Sequence, residues 1–423
     1  MKKILIVLMC LLLPMNFAGA EEKNLEDANE NLICALSSMA AYSGDDGFFV
    51  RKILTSRGFT INRLLPDNGS TNVKAYLIDK EFPDGRKMKI FVVAGTEDMK
   101  DAEVDAKIGR TALHDGEEFQ NDPHKIFVHK GFRDYADNAL SEGVTEFLID
   151  ELNNNPNETL YLTGHSLGGA VAMMIAVRLT DAGANMNNVK VLTFGAPAVG
   201  NKDFAEKFKD KIHLTRAVMD SDIVDVSLDV FGYTHFGEVV AYKQVESSTQ
   251  YAHAISLYLD CAIRKFYDAE LKIHSQEKIK IPVYIAPIKI VNKSFKPFDE
   301  KYIKEVLIDG YASRFTKITF AEPNFETIKK SADFSYSVKD HIDAAQKSGS
   351  KFIIVPLIHT KPVRDAKQNT VRILLEEIIF DANGHLKTMN TSGMTSTDVT
   401  ILDAAFWGQE FLRESRENTV TSK

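Results

Sequence analysis

One pentapeptide, Gly-His-Ser-Leu-Gly at residues 164–168, constrains this chain more than any other feature. It lies between an apolar run, 161–163, and a second apolar run that begins at Ala170. A strand that bends into a helix through Gly-x-Ser-x-Gly raises the serine hydroxyl at the tip of the bend, and the glycines allow strand and helix to approach closely. The backbone N–H of Leu167 then lies at a helix N-terminus, where it can donate to an oxyanion. The pattern predicts that Ser166 is a nucleophile and Leu167 an oxyanion donor.

A serine hydroxyl is a weak nucleophile until a base takes its proton, so a histidine and an orienting acid are expected downstream. For a serine on such a bend the chain order is serine, acid, histidine. The residues that meet this order are the acids Asp220, Asp222 and Asp225, at the end of a predicted strand, and the histidines His235 and His253. His213 is excluded because it precedes the acids and lies within a strand. The order alone leaves more than one pairing open.

From residue 126 the hydrophobic pattern alternates between strand and helix. Predicted strands cover 126–129, 160–163, 189–194, 212–218 and 236–242, and predicted helices cover 133–152, 170–179 and 254–271. Before them come a predicted helix over 25–42, antiparallel strands over 73–78 and 88–94, and a loop or short helices over 97–123. Alternation of this kind is typical of right-handed βαβ units. The predicted fold class is therefore α/β, with a mostly parallel central sheet.

Charge divides the chain near residue 270. Residues 21–270 carry 26 Lys and Arg against 40 Asp and Glu, whereas residues 271–423 carry 23 against 19. The second part has its own order of predicted elements: strand 279–290, helix 300–313, strand 317–320, helix 338–348, strand 352–358, a hairpin of 371–380 with 385–389, and helix 399–415. We predict a main domain over 21–275 and a smaller C-terminal α/β (α+β) domain over 276–423. The formal net charge of −8 argues against nucleic-acid binding.

The first 20 residues have the pattern of a secretory signal peptide. Two lysines at 2–3 precede an apolar run over 4–13, and Pro14 and Ala-Gly-Ala at 18–20 follow it. A membrane anchor is the alternative, but it needs about 20 apolar residues, and Asn16 and the charges from Glu21 interrupt the run too early. We therefore expect no transmembrane segment in the mature chain and export to the periplasm or the extracellular space.

Several separated motifs resemble, in the same order, those of the class 3 lipases, the fungal-type triacylglycerol lipases with bacterial and plant relatives. They are Val-Ala-Gly-Thr at 93–96, Val-His-Lys-Gly-Phe at 128–132, the pentapeptide at 164–168, Thr-Phe-Gly-Ala-Pro-Ala-Val-Gly-Asn at 193–201, Asp-Ile-Val at 222–224 and Gly-Tyr-Thr-His at 232–235. Together they span roughly residues 30–270. The resemblance implies an α/β-hydrolase fold for this part of the chain.

The resemblance also implies roles for individual residues. It assigns the acid to Asp222, with Asp220 as the alternative, and the base to His253. The second oxyanion donor is carried over to Thr96, through its backbone N–H. With Ser166 and Leu167, these residues would form a complete site for acyl transfer.

Three other histidines are interpreted as structural. His235 lies within the Gly-Tyr-Thr-His motif, and His129 and His165 lie beside predicted buried strands. A histidine in such a place is usually a hydrogen-bonded packing group, so we assign none of them a proton-transfer role.

The chain departs from the family pattern near the oxyanion strand. Ala94 stands where many members have arginine, and residues 97–103 are mostly charged where the family lid carries a large aromatic residue. A lid that opens on lipid should present an apolar face. We therefore do not expect strong interfacial activation.

Only Cys34 and Cys261 follow the predicted signal peptide, so no disulfide framework holds the fold. The residues alone leave one disulfide bond and two buried thiols as open alternatives. In secreted members of the family the N-terminal helix can be bonded to the segment beyond the catalytic histidine, and the two cysteines fall at matching places. The resemblance thus favours a disulfide bond between Cys34 and Cys261.

These observations predict an exported serine hydrolase that cleaves carboxylic esters of lipids, of the acylglycerol lipase, esterase or phospholipase A type. No metal or organic cofactor is implied, because no ligand motif of the His-Glu-x-x-His type or cysteine pair occurs. The expected partners are the lipid ester and, transiently, a lipid surface.

Two alternatives remain open: a cell-envelope binding or regulatory protein on a hydrolase scaffold, and an acyltransferase. The C-terminal domain weakly resembles exported modules of the curli-pore and peptidoglycan-synthase-activator type, which implies an unknown envelope partner. A small basic cluster, Lys361, Arg364 and Lys367, is interpreted as a solvated loop.

Overall fold

The structure is a computed structural model of the 423-residue chain. It describes residues 20–63, 74–82, 85–96, 109–114, 125–140, 143–243, 252–273, 278–292, 300–322, 329–330, 336–362, 371–396, 412–413 and 415–422. The predicted signal peptide, apart from Ala20, and the charged stretch at 97–103 lie outside these ranges.

The helices are α1 (Ala20–Ala40), α2 (Gly44–Ser56), α3 (Lys130–Ala139), α4 (Val144–Asn154), α5 (Leu167–Asp181), α6 (Lys202–Phe208), α7 (Ile255–Ile273), α8 (Glu300–Arg314) and α9 (Lys339–Lys347). The strands are β1 (Thr60–Arg63), β2 (Ala75–Glu81), β3 (Lys87–Val93), β4 (Arg110–Ala112), β5 (Phe127–His129), β6 (Glu158–His165), β7 (Val189–Phe194), β8 (His213–Met219), β9 (Glu238–Tyr242), β10 (Val283–Ile285), β11 (Lys289–Asn292), β12 (Ile318–Phe320), β13 (Lys329–Lys330), β14 (Tyr336–Ser337), β15 (Phe352–Pro362), β16 (Val371–Asp381) and β17 (Leu386–Ser396).

The main sheet has the strand order β1-β2-β3-β6-β7-β8-β9 among the described residues. Strands β3 and β6 to β9 are parallel, and β1 and β2 add an antiparallel edge. Parallel strands are covered on both faces and are therefore apolar at nearly every position. The buried run Ile90–Val93 in β3 shows this pattern. The expected mostly parallel α/β sheet is confirmed.

Helices cover both faces of this sheet. On one face, Ile90 and Val92 belong to a buried cluster with residues of α1 and α7. On the other face, Phe91 and Val93 belong to a second cluster with residues of α3, α4 and α5. The period of two along a strand separates the side chains in this way. Within the described ranges, no helix is both long and apolar enough to cross a bilayer.

Two local predictions in the first part of the chain need correction. The predicted helix over 133–152 is two helices, α3 and α4, because Gly143 before α4 has φ +84°, outside the helical region. The predicted strand at 126–129 exists as β5, but it pairs with β4 outside the main sheet. The sequence patterns did not predict α2, β1 or α6, nor β4 within the predicted loop or short helices at 97–123.

The C-terminal part forms a second sheet with the strand order β12-β10-β15-β16-β17 and with β11 also paired to β15. The predicted strand at 279–290 is thus two strands, β10 and β11. The predicted hairpin is present: the Asp381 carboxylate accepts the backbone N–H groups of Asn383 and His385, and Gly384 has φ +86°. Most of the predicted helix at 399–415 lies outside the described residues, although 412–413 and 415–421 are helical.

One buried cluster extends from the main sheet into the C-terminal part. It includes Ile90 of β3, Ile263 of α7, Leu307 of α8 and Ile354 of β15. The two sheets are separate, yet they share this apolar core. The domain boundary near residue 275 stays a prediction.

Candidate active site

Ser166 lies on a strained bend between β6 and α5. Its backbone has φ +58° and ψ −127°, and it is the one non-glycine residue with positive φ among the described residues. Such a conformation costs about 1–3 kcal/mol and persists only where neighbouring structure imposes it. Part of that structure is the Ser166 N–H, which donates to the carbonyl of Phe194 at 2.9 Å.

The glycines of the pentapeptide are required by close backbone contacts. A Cβ on Gly164 would lie 2.4 Å from the carbonyl carbon of Gly168. A Cβ on Gly168 would lie 2.2 Å from the carbonyl oxygen of Val93, at the end of β3. The bend therefore packs directly onto the strand that leads to Thr96. This geometry agrees with the predicted nucleophile bend.

Asp222 and His253 come together beside this bend. The Nδ1–H of His253 donates to Oδ2 of Asp222 at 2.7 Å, and both side chains are fully buried. Asp222 lies three residues after β8, and His253 lies two residues before α7. Because Nδ1 carries the hydrogen in this pair, the Nε2 of a neutral His253 is the basic nitrogen.

The Asp222 carboxylate is held by three donors. Besides His253, the Tyr258 hydroxyl donates to Oδ2 at 2.6 Å and the Val224 N–H donates to Oδ1 at 2.9 Å. Burial raises the pKa of Asp222, but these hydrogen bonds and the His253 charge outweigh it and leave the pKa below its usual value. Asp222 is therefore ionised at neutral pH.

His165 connects the bend to the segment that carries His253. Its Nε2–H donates to the backbone carbonyl of His253 at 2.7 Å, and the two imidazole centroids lie 4.6 Å apart. Since Nε2 must donate to a carbonyl, Nδ1 is an acceptor, and the Tyr42 hydroxyl donates to it at 2.7 Å. Burial and the nearby His253 lower the pKa of His165 to about 3, so its ring is neutral.

The roles of His165 and Tyr42 were only partly predictable. The sequence indicated a hydrogen-bonded packing group at His165, which agrees with its two partners. It gave no sign that the partner is the backbone of the candidate base, 88 residues away. Tyr42 was not considered at all, because its place beside Gly95 and His165 depends on how the chain turns between α1 and α2.

Thr96 and Leu167 flank the serine. Leu167 is the first residue of α5, directly after Ser166, and Thr96 follows β3 by three residues. A Cβ on Gly95 would lie 2.6 Å from the carbonyl oxygen of His165, so the backbone before Thr96 packs against the bend. Both predicted oxyanion donors thus belong to segments in contact with the serine bend.

The other two acidic candidates have different surroundings. Asp220 is exposed, whereas Asp225 is buried in an ion pair with Arg216 at 2.7 Å. His235 donates through Nε2 to the Asp225 backbone carbonyl at 2.7 Å. Asp222 bonds to Nδ1 of His253, whereas Asp225 pairs with Arg216 and lies 3.7 Å from Nε2 of His235.

His129 also has a structural position. Its side chain accepts the Phe132 N–H at the start of α3, and its ring stacks on that of Phe132 with centroids 4.0 Å apart. The histidine therefore caps a helix.

The disulfide bond expected from the resemblance is not formed. Cys34 and Cys261 are free, buried thiols. The Cys34 thiol shares a hydrogen bond with Thr163 of β6, whereas the Cys261 thiol donates to the carbonyl of Lys243 at 3.7 Å. The two sulfurs thus have different partners. Burial raises the pKa of Cys261 to about 12, so it remains a thiol.

Residues 90–227 match the family model described as lipase (class 3). This part of the chain is similar to the class 3 lipases. The matched range includes Ser166 and Asp222, but Tyr42 and His253 lie outside it.

Individual lipases match over part of their own length. A lipase from Rhizomucor miehei is 36% identical over 115 residues, which cover 26% of this chain and 31% of that protein. Secreted mono- and diacylglycerol lipase 2 from Gibberella zeae is 32% identical over 153 residues, which cover 31% of this chain and 36% of that protein. The chain thus spans about a third of the length of these curated relatives. The solved Rhizomucor miehei triacylglyceride lipase matches with a TM-score of 0.41 and 21% identity, covering 53% of this chain and 81% of that one.

Proposed function

We propose that the chain is an exported serine hydrolase that cleaves carboxylic esters of lipids. The observation that carries the proposal is the 2.7 Å hydrogen bond between buried Asp222 and His253, adjacent to a strained serine bend. An ionised carboxylate on Nδ1 holds the imidazole in the tautomer that can accept a proton at Nε2. Lipid esters are the proposed substrates because the chain shares its serine and acid segments with the class 3 lipases.

In the proposed reaction the Ser166 hydroxyl oxygen attacks the acyl carbonyl carbon while His253 Nε2 takes the hydroxyl proton. The backbone N–H groups of Thr96 and Leu167 bind the resulting oxyanion. When the tetrahedral intermediate collapses, the C–O bond to the alcohol breaks and His253 returns the proton to the leaving oxygen. Water then attacks the acyl carbonyl carbon while His253 Nε2 takes its proton. The bond between the acyl carbon and the Ser166 oxygen breaks, His253 returns the proton to that oxygen, and the acid is released.

Two further residues have a positioning role in this proposal. His165 holds the backbone of His253 through its carbonyl, and Tyr42 fixes the tautomer of His165. His165 and His253 are both buried, so water would not easily replace the hydrogen bond between them if it were lost. His165 does not transfer a proton in the reaction.

Export is proposed from the predicted signal peptide, since one relative is named a secreted lipase. The periplasm and the extracellular space are equally compatible with that signal. The C-terminal part is proposed to contact a partner in the cell envelope.

The test is covalent labelling by a fluorophosphonate together with hydrolysis of a dissolved short-chain nitrophenyl ester. Ser166→Ala should abolish labelling and lower turnover by about 10⁴-fold or more, because members of such a triad act as a unit. Ser313→Ala, at a half-buried serine of α8, is the control and should leave both unchanged. A folded unsubstituted chain that neither labels nor hydrolyses the ester would refute the proposal and favour a binding protein. Transfer of the acyl group to added alcohol in place of water would indicate an acyltransferase.

A further inference from the structure

Four large apolar side chains are exposed within nine residues that directly follow Asp222. The exposed fractions are 61% for Ile223, 54% for Val226, 82% for Val230 and 39% for Phe231. We call these four residues the 223–231 surface. Single exposed apolar residues are common, but a contiguous group usually marks an interaction site.

The exposure is imposed by a firmly held backbone. Between the exposed positions, Asp225 and Leu228 are buried and anchor the segment from below. Successive turns bond Ser227 N–H to the Val224 carbonyl and Phe231 N–H to the Leu228 carbonyl. These bonds leave the apolar side chains on the outside.

A neighbouring element also holds the end of the segment. The Arg110 guanidinium, from β4, donates to the backbone carbonyl of Phe231. The charge of Arg110 is thus directed to the backbone of the segment, and its contact holds the backbone at Phe231. The 223–231 surface therefore has the character of a rigid platform.

The platform lies at the edge of the sheet that carries the proposed chemistry. Asp222, which bonds to His253, immediately precedes Ile223. The carboxyl ends of parallel strands meet at one edge of a sheet, and both Ser166 after β6 and Asp222 after β8 lie at that edge. The 223–231 segment and Ser166 therefore lie at the same edge of the sheet.

The charges of the segment indicate which kind of lipid surface the 223–231 surface can contact. Residues 220–231 contain no Lys or Arg, and the exposed charged residues among them are Asp220 and Asp229. An anionic membrane attracts basic segments and would repel this one. An uncharged or zwitterionic lipid surface accepts apolar side chains without that penalty.

We propose that the 223–231 surface seats on an uncharged lipid surface and thereby turns the serine edge of the sheet toward it. The inference rests on the proposed function, because the lipid ester gives the platform its occupant. It places surface contact on the segment after the acid, whereas the residues at 97–103, where the family has its lid, are mostly charged in this chain.

The experiment uses the full chain with Ser166→Ala, so that binding is measured without hydrolysis. Its partitioning onto phosphatidylcholine vesicles is compared with that of the same chain carrying Val226→Ser and Val230→Ser. The paired substitution should weaken partitioning at least about tenfold, because two apolar side chains no longer leave water. The matched control, Val239→Ser with Leu386→Ser, alters residues that are 57% and 59% exposed elsewhere and should bind like the parent.

Further arms separate the outcomes. Phosphatidylglycerol added to the vesicles should not improve binding, and salt should not weaken it, since the contact is apolar. No binding to phosphatidylcholine, equal loss in the control, or binding that needs phosphatidylglycerol would overturn the proposal. Sedimentation that shows the platform joining two copies of the chain, with no vesicle binding, would overturn it as well. If the double variant does not unfold like the parent, Val230→Thr replaces it, with an expected weakening of about threefold.

The two proposals fail separately. Hydrolysis of a dissolved ester by the unsubstituted chain tests the serine chemistry without any lipid surface. Vesicle binding by the Ser166→Ala chain tests the platform without any hydrolysis. Failure of the first with success of the second would leave a lipid-binding protein.

Discussion

The buried neutral His165 should make the folded chain sensitive to mild acid. In the unfolded chain an imidazole has a pKa near 6.5, whereas in the fold the pKa of His165 is about 3. Below pH 6.5 His165 is therefore mostly protonated in the unfolded chain but stays neutral in the folded chain. The stability contribution is fully present above the unfolded pKa and is lost as the pH falls toward 3.

The size of the loss follows from these two pKa values. Between pH 7.5 and pH 5 the unfolded imidazole becomes almost fully protonated, while the folded one stays neutral. The linkage relation then gives a loss of about 2 kcal/mol in the free energy of unfolding from this residue alone. His165→Gln removes the titrating group but keeps an N–H donor near the His253 carbonyl.

The assay is urea unfolding of the unsubstituted chain and of His165→Gln at pH 7.5 and pH 5. The unsubstituted chain should lose about 2 kcal/mol more over this interval than the variant. His213→Gln, at an exposed histidine, is the control and should follow the unsubstituted chain. Equal losses in the unsubstituted chain and in His165→Gln would refute the reasoning, because His165 would then be accessible to protons in the fold.

The same position tests the positioning role. His165→Leu removes the donor and leaves a buried carbonyl without it, which costs about 1–3 kcal/mol. If that cost is expressed at the base, turnover of a dissolved ester should fall by about tenfold or more, and His165→Gln should restore most of it. A loss of stability with unchanged turnover would show that His165 is structural only.

Three other substitutions test the site and the core. Asp222→Asn should lower turnover of a dissolved ester by about 10⁴-fold, because the amide no longer selects the imidazole tautomer that accepts a proton at Nε2. The control, Asp220→Asn, should change turnover less than about twofold. The reverse result would assign the acid to Asp220. Gly168→Ala should lower turnover by about 10²-fold or more in a chain that still folds, because its Cβ would lie 2.2 Å from the Val93 carbonyl oxygen and displace the serine bend. Near-normal turnover would show that the bend can relax. Glu377→Gln should lower the free energy of unfolding in urea by about 3–5 kcal/mol, because it removes the negative charge that lies 2.8 Å from the buried guanidinium of Arg416. A change below about 1 kcal/mol would show that water reaches the pair.

The parallel core of the fold was accessible from the sequence because its strands are continuous apolar runs. The strand predicted at 189–194 is β7 with the same ends, and the serine bend lies where glycines and flanking runs placed it. These features are local, since each depends on a few consecutive residues. The antiparallel pair of β2 and β3 was visible for the same reason.

Elements with weak local signals were not predicted. Helix α2 begins with Gly44 and includes Gly47, so its composition does not favour a helix, and tertiary packing of Val50 and Leu54 stabilises it. Strand β1 has four residues at the edge of the sheet. The break at Gly143 was missed because apolar residues continue with helical spacing on both sides of it.

The acid and base illustrate a different limit. Chain order left Asp220, Asp222 and Asp225 open, and only the resemblance selected one of them. The three carboxylates follow the same strand within six residues, but a turn directs each to a different environment: solvent, His253 and Arg216. Propensity and periodicity do not encode the direction of a side chain in such a turn.

The charge boundary near residue 270 and the packing of the core describe different properties of the chain. The helix that follows His253, α7, supplies Tyr258 to the acid and buries Ile263 in the apolar cluster that also contains Leu307 and Ile354 of the C-terminal part. The segment that bears the candidate base is therefore supported from the C-terminal side. Surface charge determines how each part attracts or repels other charged molecules, whereas buried apolar contacts determine which parts stabilise each other. The C-terminal part thus contributes to the core that holds the acid and the base, in addition to any partner it binds.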